Sequence, residues 1–138
     1  MLNRLYTVWR THRGLRHATW ILPLIWMGLL HYLLTAEVDV ESSAWGFPHV
    51  DKLAHAFFFG GLAWLLVPPC RYSLRWTLAV SLAAAFLLSS VYGGIMEYWQ
   101  TFLPHRHGNW ADVVANAVGA ATVFLLIPLL RWRRTLSA

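Results

Sequence analysis

The chain has 138 residues and a formal net charge of +5, with 58% hydrophobic residues and only 12% charged ones. Soluble domains carry roughly 45–50% apolar and about 25% charged residues, and one domain of this length cannot hide so much apolar surface from water. A soluble enzyme is therefore excluded, and so is a nucleic-acid-binding domain, because the basic residues flank hydrophobic runs rather than forming a patch. A single cysteine, Cys70, rules out an internal disulfide and any multi-cysteine metal site.

In chain order, residues 1–17 place Arg4, Arg10, Arg13 and Arg16 among Leu2, Leu5, Tyr6, Val8 and Trp9. This composition predicts a short amphipathic segment at a membrane interface, retained rather than cleaved as a signal peptide. The first span is expected at about residues 18–36, roughly 28 Å at 1.5 Å per residue, against a hydrocarbon core of about 30 Å. Pro23 is expected to kink it slightly. A zone carrying Glu37, Asp39 and Glu41 follows, and its Gly46 and Pro48 stop any helix. The second span, about 50–67, is expected to end at Pro68-Pro69. The third covers about 76–103, and the fourth about 110–130, stopping at Arg131, Arg133 and Arg134. There is no tandem repeat and no low-complexity stretch, so residues 1–138 form a single membrane domain.

The distribution of basic residues orients the chain. Arg4, Arg10, Arg13, Arg16, Arg71, Arg75, Arg131, Arg133 and Arg134 fall on one side, and only Lys52 and Arg106 on the other. The positive-inside rule then places both termini in the cytoplasm. The carboxylates Glu37, Asp39, Glu41, Asp51, Glu97 and Asp112 lie outside or at the outer boundary, which agrees. The predicted fold is all-α: a four-helix transmembrane bundle with cytoplasmic termini and an interfacial N-terminal segment.

Counting residues along the spans brings polar groups to one height. Glu97 and Asp112 come out near the outer boundary, Asn116 one turn deeper, and His55 and His31 roughly 20 Å above the inner surface. Asp51 and His55 stand at i and i+4 on one helical face, an arrangement in which a carboxylate can orient an imidazole as a general base requires. Glu97 and Gln100 share a face, as do Asp112, Asn116 and Gly119. Glu97 lies near a helix C-terminus, where the macrodipole opposes its charge, so it needs Lys52, His55 or Arg106 as a partner. Asn109 is a candidate N-cap, and Asp112, like Asp51, either complements a helix dipole or serves the site. Lys52 and Arg106 either anchor helix ends at the rim or grip a phosphate. His49, Asp51, His55, Glu97 and His105 could be drawn around a metal, but no spacing matches a ligand motif, so neither metal nor cofactor is expected. Gly60-Gly61 and Gly93-Gly94 read as close-packing positions, and Trp76, Trp99, Trp110 and Trp132 as interfacial belts.

The stretches DKLAHAFFFGGLAWLL and EYWQTFLPHRHGNWADVVANAVGA resemble the VanZ-like family of small bacterial membrane proteins. That family's pattern opens one helix with D-K-x-x-H and continues with E-x-x-Q, then R, D and N-x-x-G. Asp51, Lys52, His55, Glu97, Gln100, Arg106, Asp112, Asn116 and Gly119 match in order. One position departs, His105 standing where the pattern has glycine in Pro-Gly-Arg. The resemblance implies a link to low-level resistance to glycopeptide antibiotics such as teicoplanin.

Two functions of different class follow. In the first, an envelope protein binds a membrane lipid or lipid-linked envelope component at the outer leaflet, with Lys52, Gln100, Arg106, Asp112 and Asn116 as binding groups. In the second, a membrane-embedded enzyme acts on a lipid-linked phosphate or headgroup, with Asp51, His55 and Glu97 as catalytic groups. No serine, threonine or cysteine stands at a motif position, so such an enzyme would use water, His55 or a carboxylate as nucleophile. A proton or ion path is disfavoured because no ionisable residue continues the layer through the inner half. The sequence leaves the oligomeric state open.

Overall fold

The structure, a computed structural model, describes residues 13–36 and 49–136. Most of the expected interfacial segment and most of the acidic zone after the first span, with Glu37, Asp39 and Glu41, lie outside the described residues. Every regular element among the described residues is a helix, with no strand. A short helix α1 (Arg13–Ala18) turns into α2 (Ile21–Thr35). α3 (Val50–Pro68), α4 (Leu78–Gln100) and α5 (Trp110–Leu136) follow. Four stretches are long and apolar enough to cross a membrane: Arg16–Thr35, Val50–Ser73, Leu78–Gln100 and Trp110–Leu130. This is a multi-pass membrane protein.

Local chemistry moves several expected boundaries. Pro23 falls in the first turn of α2, where a backbone N–H would have no intrahelical partner anyway, so the helix need not kink there. Pro68-Pro69 does not end the second span. The chain continues through Ser73 as a wide π turn, with the Leu74 N–H donating to the Pro69 carbonyl at 3.1 Å. Two consecutive residues without N–H groups remove α-type bonds, and the wider i→i+5 pattern keeps the coil going. α4 starts at Leu78 because the Thr77 hydroxyl accepts from the Val80 N–H at 3.3 Å, an N-cap. It ends at Gln100, after which Thr101, Phe102 and Leu103 make tighter i→i+3 turns. α5 continues past Leu130 to Leu136, since arginine is a good helix former and does not itself terminate a helix.

The core lies between α3, α4 and α5, where Phe59, Leu62, Ala63, Leu66, Leu82, Ala85, Ala120 and Val123 are buried together. α3 and α5 share the most extensive interface. Its cause is a stripe of small residues. A Cβ on Gly60 would stand 2.9 Å from the Gly119 carbonyl oxygen, and one on Gly119 would overlap the Ala56 backbone. In lipid, where apolar surface gains little by leaving the solvent, such close approach is what holds helices together. Gly61 packs under the Trp26 ring, but Gly94 has nothing within 4 Å and is no packing site.

α2 is peripheral and is tied down mainly by bonds to backbone carbonyls. Trp26 Nε1 donates to Phe58 O at 2.9 Å, and the Tyr92 hydroxyl donates to Met27 O at 2.9 Å. Leu22, Ile25 and Tyr32 on α2, Phe57 on α3, and Leu87, Val91 and Ile95 on α4 are exposed, an outward apolar surface that suits hydrocarbon. Trp76, Trp99 and Trp110, near helix ends, are also exposed, as interfacial rings should be. Arg16, expected at the interface, is buried with 7% of its surface exposed.

Candidate functional site

At the end of the bundle where α4 passes into α5, three helices bring polar side chains together. His55 stands in the second turn of α3, Glu97 in the last turn of α4, and Asp112 and Asn116 in the first two turns of α5. The Asn109 side chain caps α5, its Oδ1 accepting from the Ala111 N–H at 3.0 Å, which fixes where that helix begins. The small-residue stripe below then holds α5 against α3, so that Asn116, fully buried, faces both neighbours. Its Oδ1 lies 3.0 Å from His55 Nδ1, and a Cβ at Gly93 would stand 2.7 Å from its Nδ2. Gly93 is therefore the gap in α4 that the Asn116 amide occupies.

Glu97 is 3% exposed and its carboxylate is divided between two tasks. Oε2 accepts from the Asn109 N–H at 3.1 Å, and Oε1 lies 3.4 Å from His55 Nδ1. A capping box usually satisfies the N-cap amide with a glutamate from the same helix. Here α4 supplies that glutamate from outside. The unfavourable dipole of its own C-terminus is thus opposed by the favourable N-terminus of α5. Gly108 makes this possible, because a Cβ there would overlap the Glu97 carbonyl and stand 2.8 Å from Thr101 Cγ2.

The expected Asp51–His55 pair is not formed. Asp51 Oδ2 is 2.9 Å from Lys52 Nζ, at the exposed rim, and His55 instead meets Glu97 and Asn116. Lys52 Nζ also lies 3.6 Å from Asp112 Oδ1, so a single ammonium serves two carboxylates. Stacking on Phe59, at 6.2 Å between ring centroids, fixes the plane of the His55 ring.

Gln100 and Arg106, expected at the site, point elsewhere. Gln100 Nε2 donates to Leu34 O at 2.9 Å, and Arg106 Nη2 donates to Ala36 O at 3.0 Å and Leu33 O at 3.4 Å. His105 Nε2 lies 3.1 Å from Thr35 O. Together they receive the free carbonyls at the C-terminus of α2, the usual place for cationic and donor side chains. Among the described residues, positive φ occurs outside glycine only at His49 and Arg75. His105 therefore occupies its turn without the conformation for which glycine is needed. His31, expected at the height of the cluster, is exposed on α2.

Three buried side-chain atoms in this cluster have no hydrogen-bond partner among the described residues: Glu97 Oε1, Asp112 Oδ1 and Asn116 Nδ2. One donor atom from each of His55, Glu97 and Asp112 lies within 4.8 Å of the others. A neutral or cationic group entering this space would meet acceptors already in position.

A family model described as VanZ/LLP1 matches residues 4–131. The chain belongs to the VanZ/LLP1 family. No curated protein and no solved structure matches it. Within this VanZ/LLP1 chain the motif residues separate spatially into two groups. Lys52, His55, Glu97, Asp112 and Asn116 gather in the cluster, while Gln100 and Arg106 close the end of α2. Gly93 is the close-packing position expected of it, but sequence reasoning missed it as the recess for the Asn116 amide and missed Gly108 altogether. Neither has a chemical signal of its own, since each acts by leaving room for a residue far away in sequence or across a turn.

Proposed function

We propose that this VanZ-family protein binds the polar headgroup of a membrane lipid or lipid-linked envelope component through the cluster of Lys52, His55, Glu97, Asp112 and Asn116. In this reading the termini are cytoplasmic, the cluster faces the outer leaflet of the bacterial cytoplasmic membrane, and occupancy lowers susceptibility to glycopeptides such as teicoplanin. The observation that carries it is the set of buried atoms without a hydrogen bond among the described residues, Glu97 Oε1, Asp112 Oδ1 and Asn116 Nδ2. A buried polar group without a partner costs about 1–3 kcal/mol in protein mutational data, and a pure brace would be expected to close such gaps internally. A ligand that donates to the two carboxylate oxygens and accepts from the Asn116 amide, such as a hydroxyl-bearing headgroup, fits them. Arg106 takes no part, because its guanidinium is committed to α2.

A second reading is supported by the His55–Glu97 contact of 3.4 Å. Here the protein is an enzyme in which Glu97, rather than Asp51, holds the imidazole while it activates a water against a lipid-linked phosphate or headgroup ester. Both readings are tested with His55→Ala and Glu97→Gln, measuring teicoplanin susceptibility in cells and thermal unfolding in detergent. We expect loss of protection with helicity retained. Full protection, or loss only in proportion to unfolding, refutes a functional site. Release of water-soluble phosphate or headgroup from lipid vesicles by the wild type, abolished in both variants, selects the enzyme.

A further inference from the structure

Within the ligand cluster just described, and resting on its being a ligand site, we propose a divalent transition-metal site whose protein ligands are His55, Glu97 and Asp112. The donor set is chemically mixed, with one imidazole and two carboxylates. Imidazole selects for zinc-like ions over magnesium or calcium, and three protein ligands with an open position are the pattern of catalytic rather than structural zinc.

The spacing suits such an ion. With metal–ligand bonds of about 2.1 Å, neighbouring donors lie roughly 3.0 Å apart in an octahedron and roughly 3.4 Å apart in a tetrahedron. His55 Nδ1 is 3.4 Å from Glu97 Oε1, the tetrahedral spacing. The Asp112 donor lies within 4.8 Å of the other two, so its carboxylate completes the set with a small side-chain movement.

Charge and burial point the same way. Glu97 and Asp112 are both more than nine-tenths buried, and each leaves an oxygen without a hydrogen bond. The nearest ammonium, Lys52, is 3.6 Å from Asp112 but 2.9 Å from Asp51. Lys52 thus gives its short hydrogen bond to the exposed acid and only a longer ion pair to Asp112, so that one ammonium and one imidazole face three carboxylates. A divalent ion neutralises both buried carboxylates and fills the acceptor sites together. Its remaining position would face the rim, where Lys52 stands, and would accept a phosphate oxygen of the headgroup. This supplies the anion-holding role that Arg106 does not take.

The test uses full-length, tag-free protein in detergent, stripped with EDTA, freed of chelator, and titrated with zinc chloride alone. Binding is read by calorimetry and by metal content after gel filtration. We expect saturable binding of one zinc per chain and a rise in melting temperature on zinc addition. Asp112→Asn and Glu97→Gln should each weaken binding by about tenfold or more, in line with losses seen when metal sites are perturbed. His31→Ala, at an exposed position on α2, should leave the affinity unchanged.

A wild-type protein that is folded and takes up no stoichiometric zinc overturns the proposal without reliance on any variant. Equal weakening by His31→Ala and Asp112→Asn overturns the ligand assignment. Mass spectrometry of lipid retained with and without EDTA separates the two levels. Lipid retained by a protein that binds no zinc removes the metal and keeps the headgroup reading. Zinc bound with no lipid retained in either condition keeps the metal and removes the headgroup.

Discussion

Gly119 is the position where geometry gives the sharpest expectation. A Cβ added there would stand 2.6 Å from the Ala56 carbonyl carbon and 2.7 Å from its Cα, and ordinary contact begins at 3.4 Å. The Ala56 carbonyl oxygen is nearer still, so α3 and α5 would have to separate by more than about 1 Å, and such a radial gap forfeits about half or more of the dispersion energy of the surfaces it parts. Backbone atoms cannot rotate aside as a side-chain tip can, so the overpacking cost belongs near the upper end of the usual 1–3 kcal/mol. Alanine's better helix propensity returns up to about 1 kcal/mol. The net expectation for Gly119→Ala is a loss of about 2 kcal/mol, roughly a thirtyfold change in the unfolding equilibrium. The assay is equilibrium unfolding in mixed detergent micelles, followed by circular dichroism. Gly94→Ala is the control, because nothing lies within 4 Å of it and propensity alone should make it neutral or slightly stabilising. The reasoning is refuted if Gly119→Ala unfolds at the wild-type midpoint, or if Gly94→Ala is the worse of the two.

Other expectations concern the site and its surroundings. Glu97→Ala should destabilise by about 1.5–3 kcal/mol, the range for hydrogen bonds to charged groups, while Glu97→Gln, whose amide oxygen can still accept from the Asn109 N–H, should lose clearly less; equal losses in thermal unfolding would contradict the division of labour between Oε1 and Oε2. Arg106→Ala and Gln100→Ala should loosen the end of α2, seen as faster proteolysis between α2 and α3, with headgroup binding preserved; loss of binding in a fully stable variant would return them to the site. Asn109→Ala should cost about 1 kcal/mol by removing the cap of α5. With the termini in the cytoplasm, Ser43→Cys should react in intact cells with a thiol reagent that cannot cross the membrane, and labelling only after the cells are opened would invert the topology.

Residue order alone determined the number of spans, their type and the height at which polar groups gather. These depend on local quantities: the length of apolar runs against bilayer thickness, and the constant rise of a helix. Asn109 as the cap of α5 was legible for the same reason, because a capping side chain bonds within its own turn. That Glu97 would be met by Lys52, His55 or Arg106 was legible from its place at a helix C-terminus, and His55 meets it, but the other polar pairings were not. Asp51 is on the same face as His55 by spacing, yet it turns to the adjacent Lys52 at the exposed rim. His55 is claimed instead by Glu97 and Asn116, which come from other helices. Arg106 is close to Glu97 along the chain, but it serves the carbonyls of α2, which were left unsatisfied by that helix's end. The extension of the second span beyond Pro69 depended on a wide turn that two prolines permit but do not announce. Lateral pairing of helices is set by where small residues let backbones approach, here Gly60 against Gly119 and Gly93 against Asn116. Such contacts join residues far apart in sequence, so no periodicity within one helix encodes them, and only the packed bundle decides which side chains face one another.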